Sequence, residues 1–324
     1  MSQHKEDLNE HPVAPKSFKD VHQTITDQIV QSIEAGVGEF IMPWHREIGT
    51  TMPTNPATGN AYNGVNVIAL WAAAEQRGFA TGHWATYRQW NLMGAQVRKG
   101  AKCSVVVFYK QNKFDVNNAE TGEPEHKSMF FARASRVFNV DQVDGWQATK
   151  PVARNPVQVL EQAERFAQAT FAKISIGGDR AYYQPGKDYI QMPDKHRFTG
   201  TKTSSATESY YATLLHELSH WTGHKNRLDR NLRNRFGEDG YAMEELVAEL
   251  GAAFLCSELG VTNQPRPDHA AYIAHWLDVM KKDARAIFTA ASKASEAKTY
   301  LMGLPSVQGV LDHPRHRLQK QVSS

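Results

Sequence analysis

The sequence predicts an α+β protein of two domains, an N-terminal α+β domain followed by a mostly helical domain with a small sheet. A chain of 324 residues suits two domains of ordinary size. Hydrophobic residues make up 41% and charged residues 22% of it, which allows a normal core and is unlike a disordered chain. The hydrophobic periodicity predicts helices followed by strands in the first part of the chain and helices almost throughout the second part. This difference predicts the order of the two domains.

The N-terminal domain is expected over residues 18–150, after a polar tail at 1–17 that has no hydrophobic pattern. Helical spacing of apolar residues and strand-forming runs of β-branched and aromatic residues define its parts. The expected elements are helices at 18–35, 65–76 and 84–92, then strands at 103–110 and 129–140.

The second domain is expected over residues 157–305, with a C-terminal tail at 306–324. A stretch rich in Pro and Asn, residues 139–156, loses its periodicity and predicts the boundary. The expected elements are a helix at 157–173, short strands at 174–176, 180–183 and 187–192, and helices at 207–222, 242–259 and 268–302, the last with room for a break in its middle.

Several classes of protein do not fit the sequence. No apolar run approaches the ~18–20 residues that span a bilayer, and the first residues lack the apolar stretch of a signal peptide. The two cysteines, Cys103 and Cys256, form neither a disulfide framework nor a CxxC metal site. We therefore expect a cytoplasmic protein with no membrane partner.

The motif with the clearest chemistry is HExxH at His216–His220. A Ser-x-x-Glu capping box at 205–208 and a hydrophobic stripe that stops at Gly223 place it on a helix. On a helix His216 and His220 lie one turn apart on the same face, so both imidazoles can bind one tetrahedral zinc ion. Glu217, which lies beside them, is the expected catalytic base, because it can take a proton from water that the metal activates.

A zinc site needs a third protein ligand, and a second acidic helix downstream supplies candidates. Glu245 and Glu249 share a face of that helix at a spacing of one turn. The pattern resembles the gluzincin arrangement, which implies that Glu245 is the third ligand and that Glu249 orients a histidine. The reverse assignment stays open. Glu244 is one residue off this face and is expected to be a solvated charge.

Other parts of a peptidase site are less well determined. A metzincin would need histidine where Asn226 stands, and His224 is either a further metal-facing residue or a polar loop residue. The strand 189–192 resembles the edge strand along which zincins lay an extended peptide, although an ordinary hairpin strand is an equal alternative. The candidate donors to a developing oxyanion are Tyr241, His224, Tyr272 and His275.

Positive charge and aromatic rings are concentrated between Phe40 and Phe114. This stretch has eight basic residues against two acidic ones, a net charge of +6. Cations that follow phosphates and rings that stack on bases bind single-stranded nucleic acid. Trp71 and Phe108 are expected in the core. The residues expected to contact nucleic acid are Trp44, Trp84, Tyr87, Arg88, Trp90, Arg98, Lys99 and Lys102.

From about residue 18 to the C-terminal helices, the chain resembles the ArdC-type antirestriction proteins of conjugative plasmids. The residues that carry the resemblance are PWH at 43–45, YNGVNVIALW at 62–71, W-x-T-Y-x-Q-W at 84–90, VRKGAK at 97–102, HELSHWTGHKNRL at 216–228 and YAMEELVAELGAAFL at 241–255. The resemblance implies an N-terminal domain that binds single-stranded DNA, shared with certain plasmid primases, and a zincin-like metallopeptidase domain. It also implies a role in protecting incoming plasmid DNA from restriction during conjugation.

The functional hypothesis is therefore an antirestriction protein that binds single-stranded DNA and carries a gluzincin-like metalloprotease domain. Zn²⁺ is the expected metal, with Mn²⁺ or another divalent ion as alternatives. The expected partners are single-stranded DNA and an unidentified protein or peptide substrate. The alternative is a non-catalytic protein that shields DNA by occupancy, with a structural or vestigial zincin domain. A metal-dependent nuclease is disfavoured, because nucleases usually hold Mg²⁺ with carboxylates rather than with paired histidines.

Overall fold

The computed structural model describes most of the chain. The described residues are 18–36, 52–117, 124–146, 156–200, 204–232, 239–262 and 269–311. The predicted tail at 1–17 and the last 13 residues of the predicted C-terminal tail, 312–324, lie outside these ranges. The fold is mixed α+β, as predicted.

Two amphipathic helices begin the N-terminal half. Helix α1, Phe18–Gly36, buries Ile25, Ile29 and Ile33 at helical spacing. Helix α2, Val65–Arg77, is buried along most of its length. It ends because Gly78 adopts a left-handed conformation with φ 66°, which lets the following backbone N–H groups satisfy carbonyls of the last turn.

Short strands surround a short third helix. The strands are β1 (Thr54–Asn55), β2 (Asn60–Ala61), β3 (Trp84–Ala85) and β4 (Gln96–Val97), and the helix is α3 (Tyr87–Leu92). The prediction of a helix from residue 84 was wrong for its first three residues. Thr86 caps α3 through a capping box with Gln89, so the chain before it is extended and pairs as a strand.

A long antiparallel hairpin completes the N-terminal half. Strand β5, Ser104–Asn117, pairs with β6, Pro124–Asn139, in a register from Ser104 opposite Val137 to Asn117 opposite Pro124. Strand β3 lies on the other side of β6, and β4 pairs separately with β7, Val143–Asp144. Both long strands extend into polar residues beyond the predicted strands at 103–110 and 129–140, because ladder hydrogen bonds between two hairpin strands do not require apolar side chains.

The small sheet of the second half has three strands after helix α4, Pro156–Ala169. They are β8 (Ile174–Ile176), β9 (Tyr182–Gln184) and β10 (Tyr189–Met192), in the order β8-β10-β9. Strand β10 pairs in parallel with β8 and antiparallel with β9. Of the two alternatives for 189–192, the edge strand is therefore wrong, because β10 is hydrogen-bonded on both sides, and its antiparallel pairing with β9 fits the hairpin strand.

The remaining elements are helices. They are α5 (Ala206–Thr222), α6 (Asp239–Leu259), α7 (His269–Lys282), α8 (Ala286–Gly303) and α9 (Pro305–Leu311). The break expected within 268–302 falls between α7 and α8. Helix α9 occupies the start of the predicted C-terminal tail, and its Val307 is fully buried, because it packs on α4 and α8. None of the described helices is long and apolar enough to cross a membrane.

One hydrophobic core joins the two halves of the chain. Residues of α1 and α2 share a single buried cluster with residues of α6, α7 and α8. The rings of Trp71 on α2 and Phe254 on α6 lie 5.9 Å apart, so Trp71 is a core residue as predicted. The other side of α6 belongs to a second cluster with α4, α5 and β10. Helix α6 is therefore buried from both sides, which fixes its position relative to the rest of the chain.

The capping box of α5 generates a prediction on stability. Glu208→Gln is expected to lower the free energy of unfolding by about 1 kcal/mol at neutral pH, because an amide accepts the Ser205 N–H less strongly than a carboxylate does. Burial alone would raise the pKa of Glu208, but hydrogen bonds from Ser205 and Thr262 lower it. A lowered pKa adds stability above the unfolded value of about 4.3, and this is lost as pH falls through the folded pKa.

Urea unfolding at about pH 7 and about pH 3 measures the effect, which should shrink at the lower pH as wild-type Glu208 begins to take up a proton. The matched control is Glu161→Gln, an exposed carboxylate on α4 that lies 3.8 Å from Arg165. Equal unfolding midpoints of Glu208→Gln and wild type at neutral pH would show that the carboxylate charge adds nothing to the capping box of α5.

Candidate metal centre and nucleic-acid surface

Helix α5 presents the HExxH motif as predicted. Its capping box is complete, since Ser205 accepts from the Glu208 N–H and the Glu208 carboxylate accepts from the Ser205 N–H. His216 and His220 lie one turn apart with their ring centres at 4.8 Å, and both side chains are largely buried. The local sequence is sufficient to explain this part of the site.

Three side chains converge where a metal ion can bind. The Nε2 atoms of His216 and His220 are 3.1 Å apart. Glu245 Oε2 lies 3.5 Å from Nε2 of His216, and Glu245 Oε1 lies 3.5 Å from Nε2 of His220. Ligands bound to zinc at about 2.0–2.1 Å in a tetrahedron lie about 3.4 Å from one another. The spacing of the three groups therefore fits one ion, and they are a set that can hold a divalent metal. Glu245, rather than Glu249, has its carboxylate within 3.5 Å of both Nε2 atoms, and its role as the third ligand stays a prediction.

Glu217 is buried on α5, with 5% of its surface exposed. It follows His216 directly in the chain and is not one of the three converging groups. A carboxylate beside a metal site that does not bind the ion is available for proton transfer, so its role as a base stays a prediction.

A separate acid lies against the outer nitrogen of each imidazole. Glu249 Oε2 is 3.5 Å from His216 Nδ1, as expected for a residue that orients a ligand. Glu244 Oε1 is 3.1 Å from His220 Nδ1. Since a carboxylate only accepts, Nδ1–H of His220 donates, which turns Nε2 toward the converging site.

The prediction that Glu244 is a solvated charge was wrong. Its side chain is only 12% exposed and binds both His220 and the guanidinium of Arg230. The error has a geometric cause. Consecutive residues of α6 point about 100° apart around the helix axis, and α5 packs where the side chains of both Glu244 and Glu245 reach it. No local pattern in the sequence indicates Arg230 as a partner of this site.

The acids control the protonation of the imidazole. Burial alone would lower the pKa of His220, but the adjacent Glu245 and Glu244 outweigh it and raise the pKa to about 10. Burial would raise the pKa of Glu245, whereas the charge of His220 and the hydrogen bonds from both histidines hold it well below its usual range. In the absence of a metal, a proton on His220 therefore balances part of the negative charge.

The other candidates near the motif are resolved in part. His224 is not among the converging ligands, and its Nδ1 accepts from the Asn226 N–H within a turn, so the polar loop interpretation is correct. Tyr241 and His275 are partly buried on α6 and α7. The side chain of Tyr272 lies outside the described residues, as does Trp44.

Two predicted nucleic-acid contacts are contradicted. Trp84 is 1% exposed and Trp90 is fully buried, so neither ring can stack on a base. Trp90 donates its Nε1–H to the Phe138 carbonyl and packs against Trp146, which satisfies its one polar group inside a small core. The two tryptophans of the motif at residues 84–90 therefore serve folding.

The remaining predicted contacts reach the surface. Tyr87, Arg88, Lys99 and Lys102 are exposed. Arg98 is half-exposed and pairs with Asp144 Oδ1 at 3.3 Å. Because α3 contacts β4 and Gln96 donates to the Tyr87 hydroxyl, most of these residues lie on one surface.

Two further exposed rings were missed. Phe108 and Tyr109 on β5 are 48% and 50% exposed, although Phe108 was predicted in the core. Phe108 lies opposite the exposed Arg133 in the hairpin register. A run of three valines followed by two aromatics favours burial, but Phe108 and Tyr109, which as neighbours point to opposite faces of the hairpin, are both about half exposed. The strand sequence alone does not indicate this.

Both halves of the chain are similar to known proteins. Residues 19–138 match the family model described as the N-terminal domain of anti-restriction factor ArdC. Residues 161–293 match the model described as zincin-like metallopeptidase. The metal-free crystal structure of the antirestriction ArdC protein from plasmid R388 matches with a TM-score of 0.71 and 38% identity, over 90% of this chain and 98% of that one. The chain belongs to the ArdC antirestriction family.

Other members and relatives extend this family assignment. The Mn(II)-bound structure of the R388 ArdC protein matches with a TM-score of 0.69 and 38% identity, over 89% of this chain and 98% of that one. The protein y4eC of Sinorhizobium fredii is 43% identical over 89% of this chain and 93% of its own length. The DNA primase TraC of Escherichia coli is 34% identical over 90% of this chain, which corresponds to only 20% of the primase.

The protonation of the site generates a prediction on metal binding. Because the pKa of His220 is about 10 without metal, the imidazole carries a proton at neutral pH that a divalent ion must displace. Binding is expected to release about one proton per ion and to weaken by up to about tenfold for each unit of pH lowered. Titration calorimetry with Zn²⁺ at about pH 7, in buffers of different ionisation enthalpy, counts the protons. The same heat of binding in every buffer would contradict this release of a proton.

Proposed function

We propose that this protein is an antirestriction factor in which a metal-dependent peptidase site accompanies a surface for single-stranded DNA. Its proposed role is to protect incoming plasmid DNA from host restriction enzymes during conjugation, in the cytoplasm of the recipient cell. The observation that carries the peptidase half is the convergence of His216, His220 and Glu245 within tetrahedral spacing. Family membership supports the antirestriction role.

Zn²⁺ is the proposed resident metal, because two imidazoles and one carboxylate at this spacing are a ligand set typical of catalytic zinc. The R388 ArdC protein has a Mn(II)-bound structure, so Mn²⁺ is the second candidate. Three protein ligands leave one coordination position open, as catalysis requires and structural zinc sites lack. A metal bound there supplies Lewis-acid activation of water and of a peptide carbonyl.

The residues of this chain supply the remaining chemistry. Glu217 accepts the proton of the attacking water and returns it to the leaving amine. Glu244 and Glu249 hold the two imidazoles with Nε2 directed inward. Burial of these side chains keeps bulk water away, so their charges act at short range in a medium of low polarity. The proposed substrate is a protein or peptide that has not been identified.

Glu217→Gln is expected to keep metal affinity within about twofold, because Glu217 is not a ligand, and to reduce hydrolysis of a fluorescent casein substrate by at least about 100-fold. His216→Ala is the matched comparison and should lose both metal and hydrolysis. Metal content by elemental analysis and the rate of casein cleavage measure the two properties. A Glu217→Gln variant that cleaves casein like wild type would remove Glu217 from the mechanism.

The same variant tests the second candidate function, in which the protein shields DNA by occupancy. That alternative is favoured by the exposed cations on the N-terminal half. Plasmid transfer into a restricting recipient should become inefficient with Glu217→Gln if the peptidase protects the DNA. Undiminished protection would support shielding by occupancy and a vestigial peptidase site.

The proposed DNA surface is formed by α3 and the turn that follows β4. It carries Tyr87 for base stacking and the cations Arg88, Lys99 and Lys102 for phosphates. Arg98 joins them with part of its charge balanced by Asp144. Phe108 and Arg133, adjacent on the hairpin, have the same combination of ring and cation. Single-stranded DNA suits such a surface, because unpaired bases expose faces that rings can stack on.

Replacing both Arg88 and Lys99 with alanine is expected to weaken binding of a single-stranded oligonucleotide. It should also make the plot of log affinity against log salt shallower by about 1.4, or about 0.7 for each lost phosphate contact. Fluorescence anisotropy over a range of salt concentrations measures both. Lys173→Ala, an exposed lysine just after α4, is the control and should leave the slope unchanged. Salt-independent binding by wild type would refute the proposed surface.

A further inference from the structure

Arg230 is a buried arginine beside the two helices that carry the metal ligands, with 8% of its surface exposed. Its Nε donates to Glu244 Oε2 at 3.0 Å, and its Nη2 donates to Glu244 Oε1 at 2.8 Å. This is a bidentate pair between a guanidinium and a carboxylate, in which two parallel bonds define the plane of the acid. The same Oε1 accepts from Nδ1–H of His220.

The guanidinium also holds the end of α5. Its Nη1 donates to Thr222 Oγ1 at 2.8 Å, and Nη2 donates to the Ser219 carbonyl at 2.7 Å. Ser219 precedes His220, and Thr222 is the last residue of the helix. Arg230 therefore connects the C-terminal turn of α5 to the first turns of α6, beside the point where the two helices contribute ligands.

A compact turn returns the chain so that Arg230 reaches this position. The Leu228 N–H donates to the Thr222 carbonyl and the Arg230 N–H to the Gly223 carbonyl. Asp229 adopts a positive φ of 47°, which is uncommon for a residue with a side chain and reverses the direction of the backbone. The tertiary contacts of the turn outweigh that local cost.

Arg227 anchors the same turn through a second set of contacts. Its guanidinium lies 3.8 Å from the ring centre of Trp221 and pairs with Asp188. The Arg227 side chain is only 9% exposed, so this arginine is also largely buried. The turn from Gly223 to Arg230 is thus held by Arg227 near its middle and by Arg230 at its end.

We propose that Arg230 is a positioning residue of the metal centre: it holds Glu244 in the orientation that fixes the His220 imidazole with Nε2 toward the ion. This inference rests on the proposed metal function. Arg230 does not touch the converging ligand atoms, and its effect passes through Glu244. It also balances the charge of Glu244, which would otherwise be buried against two other acids of the site.

The expected consequence of removing Arg230 is a weaker metal site. Without the guanidinium, the Glu244 carboxylate loses two of these three hydrogen bonds and its fixed plane, so His220 is free to rotate. Loss of an outer partner of a metal ligand typically lowers metal affinity 10–100-fold. Arg230→Lys is expected to show most of this loss, because an ammonium group keeps the charge but cannot make the bidentate pair.

The experiment measures the dissociation constants of Zn²⁺ and Mn²⁺ by competition with a chromogenic chelator. Arg230→Gln and Glu244→Gln are each expected to weaken metal binding about 10–100-fold. The double variant is expected to lose no more affinity than the single variant with the larger loss, because the two residues act as one unit. The control is Arg165→Gln, an exposed arginine on α4, which should bind like wild type. Losses that multiply in the double variant would overturn the coupling.

A second variant keeps Arg230 in the chain. A Cβ at residue 223 would lie 3.0 Å from Arg230 Nη2 and 3.0 Å from Leu232 Cδ2, so Gly223→Ala should displace the guanidinium and weaken metal binding at least about threefold. Thermal unfolding of each metal-free variant shows that affinities are measured on folded protein. Wild-type affinity in Arg230→Gln, in Arg230→Lys or in Gly223→Ala would overturn the inference and leave the metal centre itself intact. A wild-type protein that binds neither metal would overturn both.

Discussion

The metal centre depends on how closely α5 and α6 approach each other. At Gly251 of α6, an added Cβ would lie 2.6 Å from Ser219 Oγ and 3.0 Å from Ser219 Cβ, inside contact distance. Ser219 is the fourth residue of the HExxH motif and is fully buried, its hydroxyl donating to the Leu215 carbonyl. The absence of a side chain at Gly251 therefore sets the separation of the helices at the position between the two histidines. That separation brings Glu245 within 3.5 Å of both imidazoles.

The second constraint is charge. Helix α6 places three acids against two imidazoles, with Glu217 buried nearby, and Arg230 supplies a fixed positive charge to one of these acids, Glu244. Buried carboxylates in such numbers are unfavourable unless cations compensate them. A divalent ion supplies this compensation, and a proton on His220 does so in part when the ion is absent. The surroundings of the site therefore favour a dication, in addition to the ligands that bind it.

Packing ties the N-terminal half to the metal-binding half. Helices α1 and α2 share one core with α6, α7 and α8, and hydrogen bonds cross between the halves from Thr26 to the Ala284 carbonyl and from the Gly64 N–H to Ser295. The helix that carries Glu244, Glu245 and Glu249 is therefore held from one side by the half that carries the exposed cations. The ArdC fold in this chain joins its two family domains through a shared hydrophobic cluster, so they are not independently packed units.

The sequence by itself determined α5, its capping box and the pairing of His216 with His220, because these depend on contacts between residues within a few turns of each other. It also determined the family, since the motifs that carry the resemblance are contiguous strings. Only the tertiary structure decided which acid meets which imidazole, the inward position of Arg230, and the burial of Trp84 and Trp90. These features depend on distances between segments far apart in the chain, and a single helical face or a single aromatic motif contains no information about what packs against it.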